Sequence, residues 1–220
     1  MQISSPSQAA RLRSPAAPTV FVIDDDLSIR EALISLLDSV DLRSEVFGSG
    51  EEFLRHTIPN VVSCLVLDVR LPGLSGLGIQ AELAKANIRI PITFMTGYGD
   101  IPMAVRAMKA GAIGFLTKPF REQELLDAVV VALEYDRKQR AAQERVSELR
   151  SRFETLTPRE LEVATWLAAG LMNKQIAAKM GIAEVTVKIH RMQVMRKFEC
   201  QVRGGSGADG RQPRDFPHGT

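Results

Sequence analysis

Short apolar segments alternate with segments of helical spacing through the first two thirds of this chain. Residues 19–23 have the pattern of a buried strand, and the apolar residues of 27–40 recur at helical intervals. Parallel strands need crossover connections, so this alternation predicts a parallel sheet covered by helices on both faces. The further predicted elements are strands at 61–67, 90–95 and 114–116, and helices that start at Ser49 or span 77–86, 101–110 and Glu122 onward.

Composition limits the classes of protein that the chain can join. Its 220 residues are 45% hydrophobic and 25% charged, as expected of an ordinary globular protein with one or two domains. The sequence has no run of about 18 apolar residues, so we expect no membrane span and no membrane partner. Cys64 and Cys200 are the only cysteines, too few for a disulfide framework, which favours a reducing cytoplasm.

The carboxyl ends of the predicted strands are followed by polar and charged residues. These are Asp24, Asp25, Asp26, Asp68, Thr96 and Lys118. Parallel strands end at a common edge, where such folds bind ligands, so we expect the side chains to converge. Crowded carboxylates need a cation, and oxygen ligands suit Mg²⁺. One carboxylate could then accept a phosphoryl group, with Lys118 and Thr96 stabilising its charge. The alternative is a set of unconnected loop residues.

Four segments carry a family resemblance: 22–25, 67–73, 96–97 and 118–120. They resemble the receiver domain of two-component response regulators over about residues 19–133. The resemblance implies a doubly wound, flavodoxin-like sheet of five parallel strands, with Asp68 as phosphoacceptor. It also implies that Mg²⁺ is held by Asp24, Asp25, Asp68 and the backbone carbonyl of Arg70. Lys118 would pair with the phosphate, and the Lys118–Pro119 bond would be cis.

The same resemblance implies a conformational switch. Thr96 would move towards the phosphate and the aromatic Phe115 would turn inward, so that local charge biases a two-state element. Helix 101–110 and the fifth strand would then form the surface of a homodimer. Without the motif, Phe115 is an ordinary core aromatic residue.

A charged helical segment is predicted to link two domains. Residues 134–152 are charged nearly all round, which favours a solvent-exposed spacer. Val131, Tyr135, Ala142 and Leu149 could instead form a weak coiled-coil seam. We therefore expect a disordered lead at 1–18 (or a misassigned start codon), domains at 19–133 and 153–200, and an aberrant, disordered tail at 201–220.

The second predicted domain is entirely helical and basic. Thr157-Pro-Arg-Glu160 combines an N-cap, a proline at the first helical position and a capping-box glutamate. Gly170 ends this helix, Gly181 ends the next, and a third spans 184–198. Residues 159–203 contain eight lysines and arginines but only four glutamates. This excess of positive charge indicates either a nucleic-acid-binding module or simply a solvated helical surface. The segment 171–190, together with Thr157–Glu160, resembles the LuxR-type DNA-binding domain of NarL/FixJ-class regulators.

That resemblance makes the third helix the recognition helix of a small all-α helix-turn-helix domain. Its exposed candidates for DNA contact are Thr186, Lys188, Ile189, Arg191 and Met192. Ile189 and Met192 could touch a thymine methyl, whereas Lys188 and Arg191 could reach base edges or phosphate. Asn173 and Lys174 are placed for phosphate. Each could also be a solvated surface residue. The predicted core is Val187, Trp166, Leu167 and Ile176, and His190 is predicted to be structural.

Two features depart from the family pattern. Ala183 stands where the family usually has a capping serine, at a cost of about 1 kcal/mol. After Phe198 the family has a fourth, dimerising helix, but Gly204-Gly205-Ser-Gly-Ala-Asp-Gly cannot form a stable helix interior. When residues 200–213 are back-translated and the codons are read one base later, one permitted product is an amphipathic helix. We therefore predict that the tail is translated out of frame. Such a lesion would weaken or abolish DNA binding.

These observations predict a phosphorylation-dependent transcriptional regulator. Its partners would be a sensor histidine kinase, promoter DNA, RNA polymerase and a second copy of the chain. It would not be an enzyme beyond self-phosphorylation and slow self-dephosphorylation. An alternative is a receiver with a disabled DNA module that acts as a phosphate sink or interaction module. A phosphatase or ATPase with an aspartate nucleophile is a third class, but no Walker A loop is present.

Overall fold

The computed structural model describes residues 17–97 and 101–199 of the chain. The predictions for the lead, for Cys200 and for the tail fall almost entirely outside these residues. The described elements, in chain order, are β1 (Thr19–Ile23), α1 (Leu27–Ser39), β2 (Arg43–Phe47), α2 (Gly50–Arg55), β3 (Ser63–Asp68), α3 (Gly76–Lys85), β4 (Ile92–Thr96), α4 (Ile101–Lys109), β5 (Gly114–Thr117), α5 (Glu122–Glu154), α6 (Pro158–Ala168), α7 (Asn173–Met180) and α8 (Glu184–Glu199).

The first nine elements and the start of α5 build a parallel sheet with helices on both faces. Its strand order is β2-β1-β3-β4-β5, and every neighbouring pair is parallel. Alternate residues of the strands point to opposite faces, which gives two hydrophobic cores. Phe21, Leu65 and Phe94 belong to one core, while Val20 and Val66 belong to the other. The predicted five-stranded α/β fold is confirmed.

Strand β2 was not among the strands predicted from the sequence. It lies at the edge of the sheet and reads Arg43-Ser-Glu-Val-Phe47, with only Phe47 fully buried. An edge strand with a solvated face has neither the continuous apolar run nor the clean alternation on which the assignment of strands depends. The predicted helix start at Ser49 is confirmed, since the Ser49 side chain accepts from the Glu52 amide.

Helix α5 runs from Glu122 to Glu154, which agrees within a few residues with the predicted helix and helical linker, and its burial changes along its length. Its buried residues end at Asp136, after which every position to Glu154 is exposed or partly exposed. Of the residues considered for a coiled-coil seam, Val131, Tyr135 and Leu149 are all exposed. The chain divides into two compact units, residues 1–142 and 143–220, and the division falls inside this helix.

Asp136 fixes α5 to the start of β3. Its carboxylate is buried and accepts from the Ser63 amide at 2.9 Å and from Arg140 Nε at 2.5 Å. Arg140 also donates to Asn60 Oδ1 at 2.6 Å. The register of α5 on the first unit is therefore set by polar contacts as well as by apolar packing.

The second unit packs helices α6, α7 and α8 around a small core. Val163, Ile176, Ala177 and Val187 are buried, and Trp166 packs against them. All four predicted core residues of this unit are confirmed: Val187 and Ile176 are buried, and Trp166 and Leu167 pack against them. None of the described helices is long and apolar enough to span a membrane.

Candidate functional site

The carboxyl ends of four strands meet at one edge of the sheet. Asp24 follows β1, Asp68 ends β3, Thr96 ends β4, and Lys118 follows β5. The register pairs Leu67 with Ile23 and Asp68 with Met95, so the strand ends lie level. The strand ends that carry these residues therefore converge, as predicted.

Lys118 bridges the two buried carboxylates of this edge. Its Nζ donates to Asp24 Oδ2 at 2.6 Å and to Asp68 Oδ2 at 2.5 Å. Burial lowers the pKa of Lys118, but hydrogen bonds and charges from both aspartates outweigh it, so the pKa lies above its ordinary value. The ammonium therefore stays charged at neutral pH, where it can neutralise negative charge placed on Asp68.

Asp24 is a desolvated carboxylate with several partners. Burial raises its pKa above the ordinary value, although Lys118 and the Asp26 amide, whose bond to Asp24 Oδ1 is 3.0 Å, oppose this shift. Arg30 Nη1 donates to the Asp24 carbonyl at 2.6 Å and so holds the loop between β1 and α1. Asp26 has a structural task, since it accepts from the Ser28 amide as the N-cap of α1.

Three carboxylates at this edge form a group that could hold a metal ion. One oxygen from each of Asp24, Asp25 and Asp68 lies within 4.8 Å of the others. Asp24 and Asp68 are buried whereas Asp25 is exposed, so the group is accessible to solvent on the side of Asp25. An oxygen-only set with open positions fits a hard divalent cation such as Mg²⁺. The Arg70 amide donates to Asp68 Oδ1 at 2.8 Å, which places the backbone of Arg70 beside the group.

Thr96 and Phe115 are the residues predicted to act in the switch. Thr96 is fully buried, and its carbonyl accepts from the Lys118 amide at 2.6 Å, joining the ends of β4 and β5. The Lys118–Pro119 peptide bond is cis, as the resemblance implied. Phe115 is partly buried and packs against the core that includes Phe94.

Gly76 was not recognised as a site residue in the sequence. A Cβ atom added there would lie 2.4 Å from the Asp68 carbonyl oxygen and 3.1 Å from the Phe94 ring. The start of α3 can therefore approach the end of β3 only because this residue has no side chain. Nothing in the pattern Ser75-Gly-Leu-Gly78 distinguishes this close approach from an ordinary loop glycine.

Helix α4 presents an exposed apolar surface next to β5. Val105 and Met108 are about half exposed, while Ala107 is buried against the sheet. Gln80 of α3 fixes the end of α4, since its Nε2 donates to the carbonyls of Ala107 and Ala110. This is the helix predicted to contribute to a dimer surface.

The second unit has the geometry of a helix-turn-helix. Helix α7 ends at Gly181, whose φ of 64° is left-handed, and α8 begins three residues later. The predicted capping box at Thr157 is confirmed, because Glu160 accepts from the Thr157 amide and the Thr157 hydroxyl accepts from the Glu160 amide. Ala183 precedes α8 without a capping side chain, and only its carbonyl bonds into the helix.

The predicted DNA contacts lie on α7 and α8. Lys174, Lys188, Ile189, Arg191 and Met192 are exposed, whereas Asn173 and Thr186 are partly buried. Two of these residues contact each other, since Arg191 Nη1 donates to Asn173 Oδ1 at 3.1 Å and so joins the two helices. Lys188 Nζ lies 3.2 Å from Glu184 Oε1. His190 is partly buried, in keeping with a structural role.

An ion pair that sequence reasoning missed ties the start of α6 to the end of α8. Lys197 Nζ donates to Glu160 Oε2 at 2.6 Å and to the Thr155 carbonyl at 2.8 Å. The bond from Lys197 and the Thr157 amide lower the pKa of Glu160 to about 2. Phe153 and Phe198 pack edge to face close by, with ring centroids 5.1 Å apart.

Comparison with known proteins agrees with both halves of this geometry. The model of the response regulator receiver domain matches residues 20–130, and that of the luxR family of bacterial regulatory proteins matches residues 154–204. Nodulation protein W of Bradyrhizobium diazoefficiens is 58% identical over 194 residues, which cover 88% of this chain and 86% of that protein. Response regulator protein TodT of Pseudomonas putida is 46% identical, with 86% and 83% of the two chains covered.

The structure also resembles a solved response regulator over most of both chains. The low-resolution structure of the response regulator StyR superposes with a TM-score of 0.76 at 52% identity, and covers 83% of this chain and 92% of that one. With the two family matches and these relatives, the chain belongs to the NarL/FixJ class of two-component response regulators, which join a receiver domain to a LuxR-type helix-turn-helix domain.

Proposed function

We propose that Asp68 accepts a phosphoryl group from a sensor histidine kinase, and that this modification controls promoter binding by α7 and α8. Membership of the class already implies kinase signalling and transcriptional regulation. The observation that carries the residue assignment is the bridge from Lys118 to Asp24 and Asp68 at the carboxyl edge of the sheet. The bridge supports the assignment, because the Asp68 carboxylate lies in contact with an ammonium that also holds a second carboxylate.

The side chains divide the transfer between them. A carboxylate oxygen of Asp68 forms the new P–O bond while the P–N bond of the kinase phosphohistidine breaks. The electron pair of the P–N bond stays on the imidazole nitrogen, and the ring leaves as neutral imidazole with one proton, carried on its other nitrogen or taken from water. Lys118 Nζ then moves from Asp68 to the phosphoryl oxygens, which stabilises their charge. Thr96 contributes a hydroxyl from the neighbouring strand end.

Mg²⁺ is the metal that suits this acidic group. Asp24, Asp25, Asp68 and the carbonyl of Arg70 would hold it, and it would neutralise charge on the phosphoryl oxygens when bound. Its presence would also relieve the repulsion among three neighbouring carboxylates. The chain would not be an enzyme in the sense of sustained turnover, because the phosphoryl group stays on Asp68 until slow hydrolysis removes it.

Phosphorylation would act through Thr96 and Phe115 on the surface of α4. When Thr96 moves towards the phosphate, it leaves space into which Phe115 can turn. The exposed Val105 and Met108 of α4, together with β5, would then meet the same surface of a second copy. Such isologous pairing is the commonest way to form a homodimer.

The DNA-binding surface would be formed by residues of both helices in the second unit. Lys174 and Asn173 would contact phosphates, and Thr186, Lys188, Ile189, Arg191 and Met192 would enter the major groove. RNA polymerase would be the partner at the promoter, and the protein would act in the cytoplasm. The assignment of the seven DNA-binding residues is supported by the exposure of five of them and by the luxR family match.

A phosphate-sink role is the second candidate, and the glycine-rich sequence 204–210 favours it. If that tail replaces a dimerising helix, the receiver would work while DNA binding is lost. Resequencing the locus tests the frameshift: an uninterrupted frame that encodes Gly204-Gly205, with no insertion or deletion relative to relatives, would exclude it.

Phosphorylation of the full chain by acetyl phosphate tests the receiver assignment. Intact-mass spectrometry should show one added phosphoryl group that requires Mg²⁺ and disappears in Asp68→Asn. Asp41→Asn is a matched control, because Asp41 lies in a turn after α1 and should leave the incorporation unchanged. Incorporation that survives in Asp68→Asn, or that proceeds equally well in EDTA, would refute the assignment.

A further inference from the structure

A cavity lies at the amino-terminal edge of the sheet, at the other end of the strands from Asp68. Its volume is about 420 Å³, which is within the range of small-molecule sites. Ile92, the first residue of β4, lines this cavity, whereas Thr96 ends the same strand at the acidic edge. Among the described residues that line the cavity, none belongs to the acidic edge or to α7 and α8. The cavity is therefore separate from the phosphorylation site and from the DNA-binding helices.

Part of the cavity wall is apolar. The apolar side chains come from α3, from the loop between α3 and β4, from β4 and from the segment before β5, and they are Leu83, Ile90, Pro91, Ile92 and Ile113. Leu83 and Ile92 are almost fully buried, so this wall is continuous with the core of the first unit. Such a wall binds the apolar part of a ligand, because the contact removes apolar surface from water.

The charged residues of the wall differ in their partners. Asp136 lines the cavity, but its carboxylate already accepts from Arg140 Nε at 2.5 Å and from the Ser63 amide at 2.9 Å. Arg89 also lines the cavity, and its exposed side chain makes no hydrogen bond or ion pair with the rest of the described chain. The charge that remains to attract a ligand is therefore positive.

A second cleft adjoins the cavity at Arg89. Ile88, Arg89 and Ile90 line both spaces, so the arginine stands between them. Arg140 and His56 also line the second cleft, and none of its lining residues within the described ranges is acidic. An anion held by Arg89 would thus have a second arginine nearby on its other side.

The cavity also contacts the helices before and after β5. Ala110 and Gly111 follow α4, Tyr135 belongs to α5, and all three line the cavity. Gln80, another lining residue, donates from Nε2 to the carbonyls of Ala107 and Ala110 at 3.3 and 3.2 Å. A molecule bound here would contact α5 and the end of α4 together, and it would stabilise the folded first unit.

We propose that this cavity binds a small organic acid, whose apolar body packs against the apolar wall and whose carboxylate pairs with Arg89. A guanidinium group can hold a carboxylate through two parallel hydrogen bonds. An uncharged molecule of the same shape would lack this pair, and an amine of the same shape would be repelled by the arginine. Such binding depends neither on phosphorylation of Asp68 nor on DNA, so it is a further function of the first unit.

Three probes of the same shape and different charge test the proposal. They are naphthylacetate, naphthylethanol and naphthylethylamine, each substituted at the same ring carbon. Calorimetric titration of the full chain should show the acid binding with a dissociation constant of about 1 mM or lower, as the size of the probe allows. The alcohol should bind about fivefold more weakly, because it lacks an ion pair with an exposed arginine, and the amine should bind more weakly still.

Two variants locate the binding site. Arg89→Gln should bind the acid and the alcohol with equal affinity, since it removes the charge and keeps the apolar wall. Ala84→Phe should abolish binding of both probes, because Ala84 lines the cavity and a phenyl ring would fill it. Ala81→Phe is the matched control: Ala81 is exposed on the same helix, α3, and is not among the described residues that line the cavity. Thermal unfolding followed by circular dichroism checks that each variant is folded.

Three outcomes would overturn the inference. The first is the absence of any heat of binding with naphthylacetate, and the second is an alcohol or an amine that binds as tightly as the acid. The third is binding that persists in Ala84→Phe, which would place the site elsewhere. Asp68→Asn should bind the acid as the wild type does, so a failure of the proposed phosphorylation would leave this test intact.

Discussion

Glu160 should carry an unusually large share of the stability of the helix-turn-helix unit. It is 6% exposed, accepts from the Thr157 amide at 2.8 Å, and bonds to Lys197 Nζ at 2.6 Å. Its substitution by alanine removes half of the capping box, worth about 1 kcal/mol, and a charged hydrogen bond worth about 1.5–3 kcal/mol. We therefore expect Glu160→Ala to lower the free energy of unfolding by about 2–4 kcal/mol.

Trp166 provides the assay, because it is the single tryptophan of the chain and packs against the core of this unit. Urea unfolding followed by its fluorescence should show a midpoint lowered by about 2–4 M, if the unit has a slope near 1 kcal/mol/M. Glu162→Ala is the matched control: the Glu162 side chain bonds to the exposed Arg159 at 2.9 Å, and the loss of this exposed pair should cost less than about 0.5 kcal/mol. Equal midpoints for the Glu160 and Glu162 variants would refute this account of the unit's stability.

Three further predictions concern single residues. Because its pKa is lowered, ionised Glu160 stabilises the folded unit above pH 4.5, and this stabilisation is lost as the pH falls towards about 2. The urea midpoint of the wild type should therefore decline across this window, while that of Glu160→Gln should not. Gly76→Ala should destabilise the first unit by about 1–3 kcal/mol and slow phosphorylation by acetyl phosphate, whereas Gly48→Ala, with only ordinary contacts, should do neither. Asp136→Ala leaves the buried Ser63 amide unpaired, which should cost about 1–3 kcal/mol in thermal unfolding of that unit, and an unchanged melting temperature would contradict the reading.

The sheet and its acidic edge could be predicted because their determinants are local. Strands β1 and β3 are apolar runs bounded by aspartates, and the rule that parallel strands end at one edge brings Asp24 and Asp68 together. The Thr157 capping box is equally local, since all its partners lie within four residues. These features depend on residues that are neighbours in the sequence.

The contacts that were missed join residues far apart in the chain. Lys197 and Glu160 are separated by 37 positions, and Asp136 and Ser63 by 73, so no local pattern indicates either pair. The close approach of Gly76 to the Asp68 carbonyl depends in the same way on how α3 packs against β3. Strand β2 was missed for another reason, because its polar sequence is permitted only by its position at the edge of the sheet.

The central claim is that phosphorylation of Asp68 controls DNA binding by this chain. The most direct test is fluorescence anisotropy of the full 220-residue protein on a duplex selected from random DNA by the phosphorylated protein, with and without acetyl phosphate and Mg²⁺, beside Asp68→Asn. We expect phosphorylation to tighten binding by about tenfold or more in the wild type and to have no effect on the variant. Phosphorylation without any change in affinity would contradict the claim and leave a working receiver whose output lies elsewhere.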